Sequence, residues 1–224
     1  MDQRLLNIFN LIEQNAKGVC DVGTDHGMIP INLAIKGFAG NLIATDINEG
    51  PLQRAMENAR SHSVYDCITF FRFDGLPTCL SSTFDTAVIA GMGGDLICSI
   101  LDRADWIFSE NYMLILQPMS KPEVLRYYLV NNGFAISDDV LSEDNGRIYQ
   151  IIRCRYTGVN DSYADAELYL GKKSRCNDRQ LYDRSLTSFR KILERIIHGS
   201  LSSGDTVRRS FYINMAQWID NISG

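Results

Sequence analysis

The stretch GVCDVGTDHG (18–27) joins a short apolar run to a loop with glycines at positions 23 and 27, and MIPINLAIKG (28–37) follows it. A short apolar run bounded by glycine is typical of a buried strand, and the longer apolar run after the loop is typical of a helix. The stretch therefore predicts a strand, a tight loop and a helix in succession, which is the first part of a β-α-β unit.

The alternation of short apolar segments with helical segments continues along the chain. Further strands are predicted at residues 41–47, 67–75, 84–91 and 112–118, and helices at residues 3–15, 50–61, 96–108 and 121–133. Residues 134–156 predict a hairpin, because Asp144-Asn145-Gly146 supplies the residues that tight turns prefer. Strands that alternate with helices form parallel sheets. The predicted fold is therefore α/β, with a mostly parallel seven-stranded sheet and an antiparallel C-terminal hairpin.

Residues 158–224 predict a smaller, helical unit. Helical periodicity covers Ala164–Leu170, Arg179–Ile197 and Thr206–Ile222, with breaks at Gly171 and at residues 199–204. We expect a coiled-coil-like extension that packs on itself or on the rest of the protein. The chain is thus divided into a main domain (1–157) and a helical extension (158–224).

Charge is unevenly distributed between these two parts. The 224 residues carry a net charge of −5. Residues 1–157 hold 12 Lys and Arg against 19 Asp and Glu, whereas residues 158–224 hold 10 against 8. Proteins that bind nucleic acid usually present a basic surface. Such a surface is therefore expected in the extension.

Composition argues against several protein classes. The N-terminal segment contains Asp2, Arg4 and Glu13 among its apolar residues, unlike a secretory signal. No segment approaches the roughly 20 apolar residues of a membrane span. The six cysteines and three histidines are scattered, which predicts neither a metal site nor a disulfide framework. We therefore expect a cytoplasmic protein that holds no metal.

The loop after the first strand differs from the dinucleotide-binding pattern G-x-G-x-x-G. Asp25 and Met28 stand where the second and third glycines would follow Gly23. A carboxylate at Asp25 would repel a pyrophosphate at the helix N-terminus. S-adenosylmethionine has no phosphate and carries a sulfonium and an ammonium, so the loop favours it over a dinucleotide. The alternative is a plain strand-to-helix turn that Asp25 caps.

Polar residues also follow the later strands. Asp46 lies 23 residues after Gly23, close to the roughly 20-residue spacing of a ribose-binding acid, and Asp74 could accept the N6 protons of an adenine. The glycine-rich residues 91–94 would let a ligand approach the backbone, and Gln117 offers an amide. Because the carboxyl ends of parallel strands share one edge of the sheet, these residues are expected at one ligand site.

Five segments together resemble the TrmK family. They are DVGTDHGMIPI (21–31), ATDINEGPLQRA (44–55), AGMGGDLI (90–97), LQPMSKPEVLR (116–126) and NGRIYQII (145–152). Members of the family are bacterial tRNA methyltransferases that modify N1 of adenine 22. The resemblance implies a Rossmann-like class I methyltransferase fold, S-adenosylmethionine as cofactor and tRNA as partner. The chain differs from the family pattern at residues 27–30, where A-Y-L-P is common, and at Met119, where an Asn is common.

Site residues follow from the strand-end pattern and the resemblance together. Asp25 would stabilise the positive charge that grows on the methylated base, His26 would orient Asp25, and Gln117 would contact the base. The expected cofactor-binding residues are Asp21, Gly23, Thr24, Asp25, Gly27, Asp46, Ile47, Asn48, Asp74, Gly75, Ala90, Gly91, Met92 and Gly93. In the extension, Lys172, Lys173, Arg175 and Arg179 are expected to contact tRNA phosphates.

Three other functions are compatible with the residues alone. The first is a methyltransferase that acts on ribosomal RNA, a protein or a small molecule. The second is a nicotinamide-dependent oxidoreductase, which the missing second glycine disfavours. The third is a non-catalytic module that holds a cofactor or RNA without turnover.

Overall fold

Seven strands form a single sheet. A computed structural model describes residues 2–200 and 206–223, without the side chains at positions 200, 208 and 223. The strands are β1 (Gly18–Val22), β2 (Asn41–Asp46), β3 (Ile68–Arg72), β4 (Thr86–Gly93), β5 (Met113–Ser120), β6 (Phe134–Asp144) and β7 (Arg147–Tyr156). Their order is β3-β2-β1-β4-β5-β7-β6. Strands β1 to β5 are parallel, and β7 pairs antiparallel with both β5 and β6. The predicted fold class is confirmed.

Eight helices accompany the sheet in the described residues. They are α1 (Gln3–Leu11), α2 (Met28–Ile35), α3 (Glu49–Ser61), α4 (Gly94–Asp102), α5 (Pro122–Asn131), α6 (Asp165–Leu170), α7 (Arg179–Ser200) and α8 (Thr206–Ser223). Every residue of β1 is buried. This is typical of a central parallel strand that helices cover on both faces.

Alternate residues of the central strands point into two separate cores. Val88 and Ile115 belong to one buried cluster with residues of α1, α2 and α3. Their neighbours Ile89 and Leu116 belong to the cluster on the other face, with residues of α4 and α5. Successive side chains of a strand point to opposite faces, so the sheet lies as a layer between two groups of helices.

Two helices end at least four residues before the sequence prediction. The first was expected over residues 3–15 but ends at Leu11, because Ile12 adopts an extended backbone and its N–H donates to the Phe9 carbonyl. The helix expected over residues 96–108 ends at Asp102, and a separate 3₁₀ turn covers Asp105–Ile107. The predicted turn between β6 and β7 is confirmed. Asn145 and Gly146 both have positive φ, as a two-residue hairpin turn requires.

The extension packs on the main domain as well as on itself. A third buried cluster contains Leu141 of β6 together with Leu186 and Met215 of the last two helices. Asn177 hydrogen-bonds the backbone of Leu141 at both N–H and C=O, at 2.8 and 3.2 Å. The predicted helices are thus present. Gly199 and Ser200, where the break was expected to begin, still belong to α7, and the rest of the expected break (201–204) lies outside the described residues. The division at residue 157 stays a prediction.

Helices long and apolar enough to cross a membrane are absent from the described ranges 2–200 and 206–223. The same described residues contain no group of three or more His, Cys, Asp or Glu side chains arranged to hold a metal ion.

Candidate active site

A cavity of about 470 Å³ opens at the carboxyl ends of β1, β2 and β4. The predicted site residues that line it are Asp21, Gly23, Asp25, His26, Asp46, Ala90, Gly91 and Met92. The sheet order places β1 between β2 and β4, so the loops that follow these three strands converge on one opening. Open parallel sheets bind ligands at this edge.

The glycine loop that follows β1 (residues 23–27) lies against the ends of β2 and β4. Gly23 has a φ of 76°, and its N–H donates to the Thr45 carbonyl at 2.8 Å. A Cβ atom at Gly23 would lie 2.1 Å from the Met92 Cε, so the end of the Met92 side chain would have to move to admit a side chain there. A Cβ atom built at Gly91 would have no heavy atom within 4 Å. The backbone at Gly91 is therefore accessible to a ligand.

Asp25 does not cap the following helix. The residue at the N-cap of α2 is Gly27, whose backbone adopts the left-handed conformation and which has no side chain to form a capping hydrogen bond. The Asp25 carboxylate instead accepts from the Arg54 guanidinium at 2.7 and 3.2 Å. The capping interpretation of Asp25 is therefore wrong. The carboxylate lies at the cavity with its charge partly balanced by Arg54.

His26 has a backbone conformation that few non-glycine residues adopt. Its φ is 64°, and the Asn58 side chain donates to its carbonyl oxygen at 2.7 Å. The ring lies at the cavity, with Nε2 3.7 Å from an Asp25 carboxylate oxygen. This distance is too long for a hydrogen bond. The predicted orienting role of His26 therefore stays a prediction.

Asp21 and Asp46 are the buried acids of the cavity. Burial raises the pKa of Asp21 from 3.8 to about 6, and the charge of Asp46 adds to this rise. The Thr24 hydroxyl lies close enough to lower this pKa in part, although it has no well-aligned hydrogen bond within the described structure. One Asp46 oxygen accepts from the Asn48 N–H at 2.8 Å. Both carboxyls retain lone pairs for a ligand.

Seven of the predicted cofactor-binding residues do not line the cavity. They are Thr24, Gly27, Ile47, Asn48, Asp74, Gly75 and Gly93. Asp74 lies at the end of β3 as predicted, but its carboxylate forms two hydrogen bonds with Arg103, at 3.0 and 3.1 Å. The structure therefore separates Asp74 from the carboxylates that converge on the cavity.

Gln117 is completely buried and its amide already has partners. Its Oε1 accepts from the Arg4 guanidinium at 2.8 Å and from the Gly91 N–H at 3.1 Å. Its Nε2 donates to the Pro118 carbonyl at 3.0 Å. Contact between Gln117 and a substrate stays a prediction, because the side chain does not line the cavity. In this structure it connects β5, the end of β4 and α1.

Arg4, Leu5 and Arg54 contribute to the site and were missed. Arg4 and Leu5 of α1 line the cavity, and Arg54 of α3 binds Asp25. Arg4 meets Gln117 across 113 residues of sequence. An isolated Arg in an amphipathic helix gives no sequence signal for such a contact. A role for Arg54 could have been suspected from the resemblance, since the segment ATDINEGPLQRA contains it.

The charges of the cavity fit a cationic ligand that also carries hydroxyl groups. Three carboxylates, those of Asp21, Asp25 and Asp46, line it with Arg4. A pyrophosphate would meet these acids at close range, whereas a sulfonium or ammonium would be attracted. The accessible backbone at Gly91 and the spare hydroxyl of Thr24 add polar groups nearby. These residues fit S-adenosylmethionine better than a dinucleotide.

Known proteins that this chain is similar to are methyltransferases. Residues 1–152 match the methyltransferase domain family. A tRNA (adenine(22)-N(1))-methyltransferase of Bacillus subtilis is 29% identical over 152 residues, which are 68% of this chain and 63% of that enzyme. A Mycoplasma pneumoniae protein assigned as a tRNA methyltransferase is 30% identical over 75% of this chain and 77% of its own length.

Similarity in structure covers the complete chain. A Streptococcus pneumoniae protein assigned as a tRNA (m1A22) methyltransferase, solved with S-adenosyl-L-methionine, has a TM-score of 0.81 at 25% identity and is covered to 100%, as is this chain. By its sequence match over residues 1–152, the chain belongs to the methyltransferase domain family.

Proposed function

We propose that this protein is an S-adenosylmethionine-dependent methyltransferase that modifies N1 of adenine 22 in tRNA. The observation that carries the proposal is the pair of buried carboxyls, Asp21 and Asp46, at the carboxyl edge of a methyltransferase-type sheet. Support for the substrate comes from the Bacillus subtilis relative, whose name specifies adenine 22. The match spans 63% of that relative, and the substrate is therefore part of the proposal.

The cofactor site would be divided between the acids and the glycine loops. Asp46 would accept the ribose hydroxyls, and Asp21 would attract the ammonium group. Asp74 would accept from the adenine N6 with the lone pairs that Arg103 leaves free. The remaining contacts would come from the loop residues Gly23, Thr24, Gly27, Ile47, Asn48 and Gly75 and, at the end of β4, from Ala90, Gly91, Met92 and Gly93.

The residues around Asp25 would stabilise the charge that methylation creates. Bound S-adenosylmethionine supplies a methyl group that its sulfonium makes electrophilic. The N1 atom of a neutral adenine carries no proton, so no side chain has to act as a general base. Asp25 would offset the positive charge that develops on the base, and Arg54 would hold the carboxylate in position. This arrangement needs orientation and electrostatics only.

The extension would supply part of the tRNA surface. Lys172 and Arg175 already pair with Asp161 at 3.1 and 2.9 Å, and Lys173 pairs with Asp183 at 2.7 Å. Of the four cations expected to contact phosphates, these three thus have intramolecular partners. Arg179 begins α7, and Lys191 and Arg195 lie exposed further along it. We propose that α7 carries much of the phosphate contact, in a cytoplasmic setting where tRNA resides.

The first experiment measures the modified nucleoside. Purified protein is incubated with S-adenosylmethionine and unmodified tRNA, and nucleosides are identified by mass spectrometry. We expect 1-methyladenosine, which maps to position 22. Cofactor binding without 1-methyladenosine would overturn the tRNA assignment and direct the search to ribosomal RNA, protein or small molecules. Fluorescence titration with NADH tests the oxidoreductase alternative, and we expect no binding.

A matched pair of variants tests the cofactor site. Asp46→Ala should weaken S-adenosylmethionine binding at least tenfold by calorimetry, because the loss of a charge-assisted hydrogen bond costs about 1.5–3 kcal/mol. Asp66→Ala removes an exposed acid elsewhere and should leave the affinity unchanged. Equal affinity in the two variants would contradict the placement of the ribose at Asp46.

A further inference from the structure

A second cavity, of about 390 Å³, lies beside the candidate active site. It is formed where β5 ends and β7 begins, and it is lined by Met119, Pro122, Arg147, Tyr149 and Gln150 among others. None of these residues has a role in the proposed cofactor site. The cavity therefore requires an explanation of its own.

A wall of side chains separates the two cavities, which share no lining residue. Arg4 faces the first cavity, and its guanidinium lies 5.6 Å from the centre of the Tyr149 ring, which faces the second. Arg4 also binds Gln117, whose Nε2 lies 3.5 Å from the Met119 sulfur. A base held in the second cavity is thus separated from the first by this wall. This position suits the neighbour of the methylated base in the RNA chain rather than the methylated base itself.

The lining of the second cavity suits one nucleotide. Met119 is 49% exposed, and with Pro122 and the half-buried Tyr149 ring it offers an apolar and aromatic surface. Aromatic side chains bind unstacked bases in RNA complexes. The Gln150 Oε1 atom is buried and has no hydrogen-bond partner within the described residues.

Arg147 adds a cation at the rim. It is exposed, and within residues 2–200 and 206–223 its side chain forms no ion pair or hydrogen bond. The nearby Asp144 carboxylate accepts a hydrogen bond from the Asn145 side chain at 3.1 Å. A free guanidinium next to an aromatic surface complements a phosphate next to a base.

We propose that the second cavity binds the nucleotide adjacent to the methylated adenine, with its base against Tyr149 and Met119 and its phosphate at Arg147. The proposal rests on the proposed function, since it requires an RNA substrate. It assigns the end of the β6–β7 hairpin to substrate recognition. Arg4 and Gln117 then separate the cofactor from the neighbouring nucleotide.

A matched pair of arginine variants tests the phosphate contact. Arg147→Ala and Arg155→Ala remove the same charge from exposed positions of β7, but Arg155 pairs with Met113 at the opposite edge of the sheet. Binding of unmodified tRNA is measured by fluorescence anisotropy with S-adenosylhomocysteine present, over a range of salt concentrations. Arg147→Ala should weaken binding several-fold and reduce the slope of log affinity against log salt by about 1. Arg155→Ala should change neither quantity.

A second pair tests the aromatic surface. Tyr149→Phe keeps the ring, and Tyr149→Leu removes it while keeping an apolar side chain. Tyr149→Leu should weaken tRNA binding about tenfold, within the range for loss of a base–aromatic stack, and Tyr149→Phe should not. Affinity for S-adenosylhomocysteine is measured for all four variants and should be unchanged. The proposal would be contradicted if Tyr149→Leu alone lowered the affinity for S-adenosylhomocysteine and Arg147→Ala left tRNA binding unchanged. Tyr149 would then serve to support Arg4.

An RNA with a missing base identifies the occupant. Transcripts carry one abasic residue, either 5′ or 3′ to the target adenine. One of the two should bind the wild-type protein less tightly and show no further loss with Tyr149→Leu. If the wild type methylates tRNA but Arg147→Ala behaves as Arg155→Ala does, the second cavity is not a nucleotide site and the proposed function is unaffected. If the wild type neither binds nor methylates tRNA, the proposed function itself is wrong.

Discussion

At the scale of single residues, Asp21 shows how the fold adjusts a side chain for a ligand. It lies in β1, an interior strand of the sheet, almost fully buried, with Asp46 nearby on the adjacent strand. Burial and this second acid raise its pKa to about 6. The protonated form therefore persists in the free protein at a pH where an exposed aspartate is ionised. A cationic ligand would favour the ionised form.

The pH dependence of binding follows from this pKa. The folded-state pKa of Asp21, about 6, exceeds the ordinary value of 3.8. Between these two pH values the folded protein keeps a proton on Asp21 that the unfolded chain has lost. Asp21 therefore lowers the stability of the free protein as the pH rises from about 4 to 6. A bound cation stabilises the ionised Asp21 carboxylate, so the affinity for the cation rises over the same pH range. S-adenosylmethionine should bind roughly tenfold tighter at pH 7.5 than at pH 5 by calorimetry. Asp21→Asn should bind weakly with no such dependence.

Methylthioadenosine provides the control for this measurement, since it has neither the ammonium nor the sulfonium. Its affinity should vary little between pH 5 and pH 7.5. An equal pH dependence for both ligands would show that a group other than Asp21 governs binding.

Residues of the site could be predicted from sequence where their position relative to a strand decides their role. Asp21, Asp46 and Gly91 lie at or near the carboxyl ends of strands that apolar runs made visible, so their shared edge could be inferred. Arg4 and Arg54 could not be found in this way. Their roles depend on contacts between distant segments, which no local pattern encodes.

At the scale of elements, α1 completes the first cavity. This helix has nine residues, and an isolated helix of that length is marginal in water. Its Asp2 side chain accepts from the Leu5 N–H at 2.7 Å and caps the N-terminus. Ile8 and Phe9 anchor the other side of the helix in the core. The cap therefore stabilises the turn that carries Arg4.

Removal of this cap should weaken ligand binding indirectly, because Asp2 stabilises the helix turn that positions Arg4. Asp2→Ala should cost about 1 kcal/mol of helix stability. We expect a several-fold loss of affinity for S-adenosylmethionine and a small decrease in Tm. Asp2→Asn keeps a capping side chain but removes the charge that lies 3.5 Å from Arg4. If Asp2→Asn loses as much affinity as Asp2→Ala, the ion pair rather than the cap positions Arg4.

The type of most elements could be predicted from sequence, but several of their ends could not. The first helix stops at Leu11 because Ile12 turns into the core, where it is 3% exposed. The apolar periodicity continues past that point, since a buried loop residue and a buried helix residue look alike in sequence. Only tertiary packing distinguishes them.

At the scale of the whole molecule, a buried ion pair joins the main domain to the extension. Arg126 of α5 and Asp139 of β6 are 2.9 Å apart and almost fully buried. Asp139 also accepts from the Lys172 N–H at 3.0 Å, and Arg126 donates to the Leu168 carbonyl at 3.0 Å. The pair therefore holds both the α6 helix and the segment that follows it.

Removal of one partner should destabilise the protein strongly. Asp139→Ala leaves the Arg126 charge buried without a counter-ion, which costs about 3–5 kcal/mol. We expect a corresponding decrease in the free energy of unfolding, measured by urea denaturation. The double variant Arg126→Met/Asp139→Leu removes both charges and should recover much of that loss. Equal stability of the single and double variants would show that the uncompensated charge is not the cause.

The overall plan of the molecule was predictable, but the attachment of the extension was not. Alternating strands and helices restrict the topology to few possibilities, and the hairpin turn fixes the register of the last two strands. The extension was expected to pack on itself or on the main domain, and it does both. The choice depends on Asp139 and Asn177, whose sequence surroundings resemble those of ordinary surface residues.

The contact between Arg4 and Gln117 also has a consequence for biosynthesis. During translation α1 leaves the ribosome long before β5, because 113 residues separate these two partners. A nascent chain that has not yet exposed β5 lacks the buried amide that holds Arg4 and the Gly91 backbone. The cavity is thus completed only when most of the sheet has been synthesised. Ligand binding by ribosome-bound chains of increasing length would report when that step occurs.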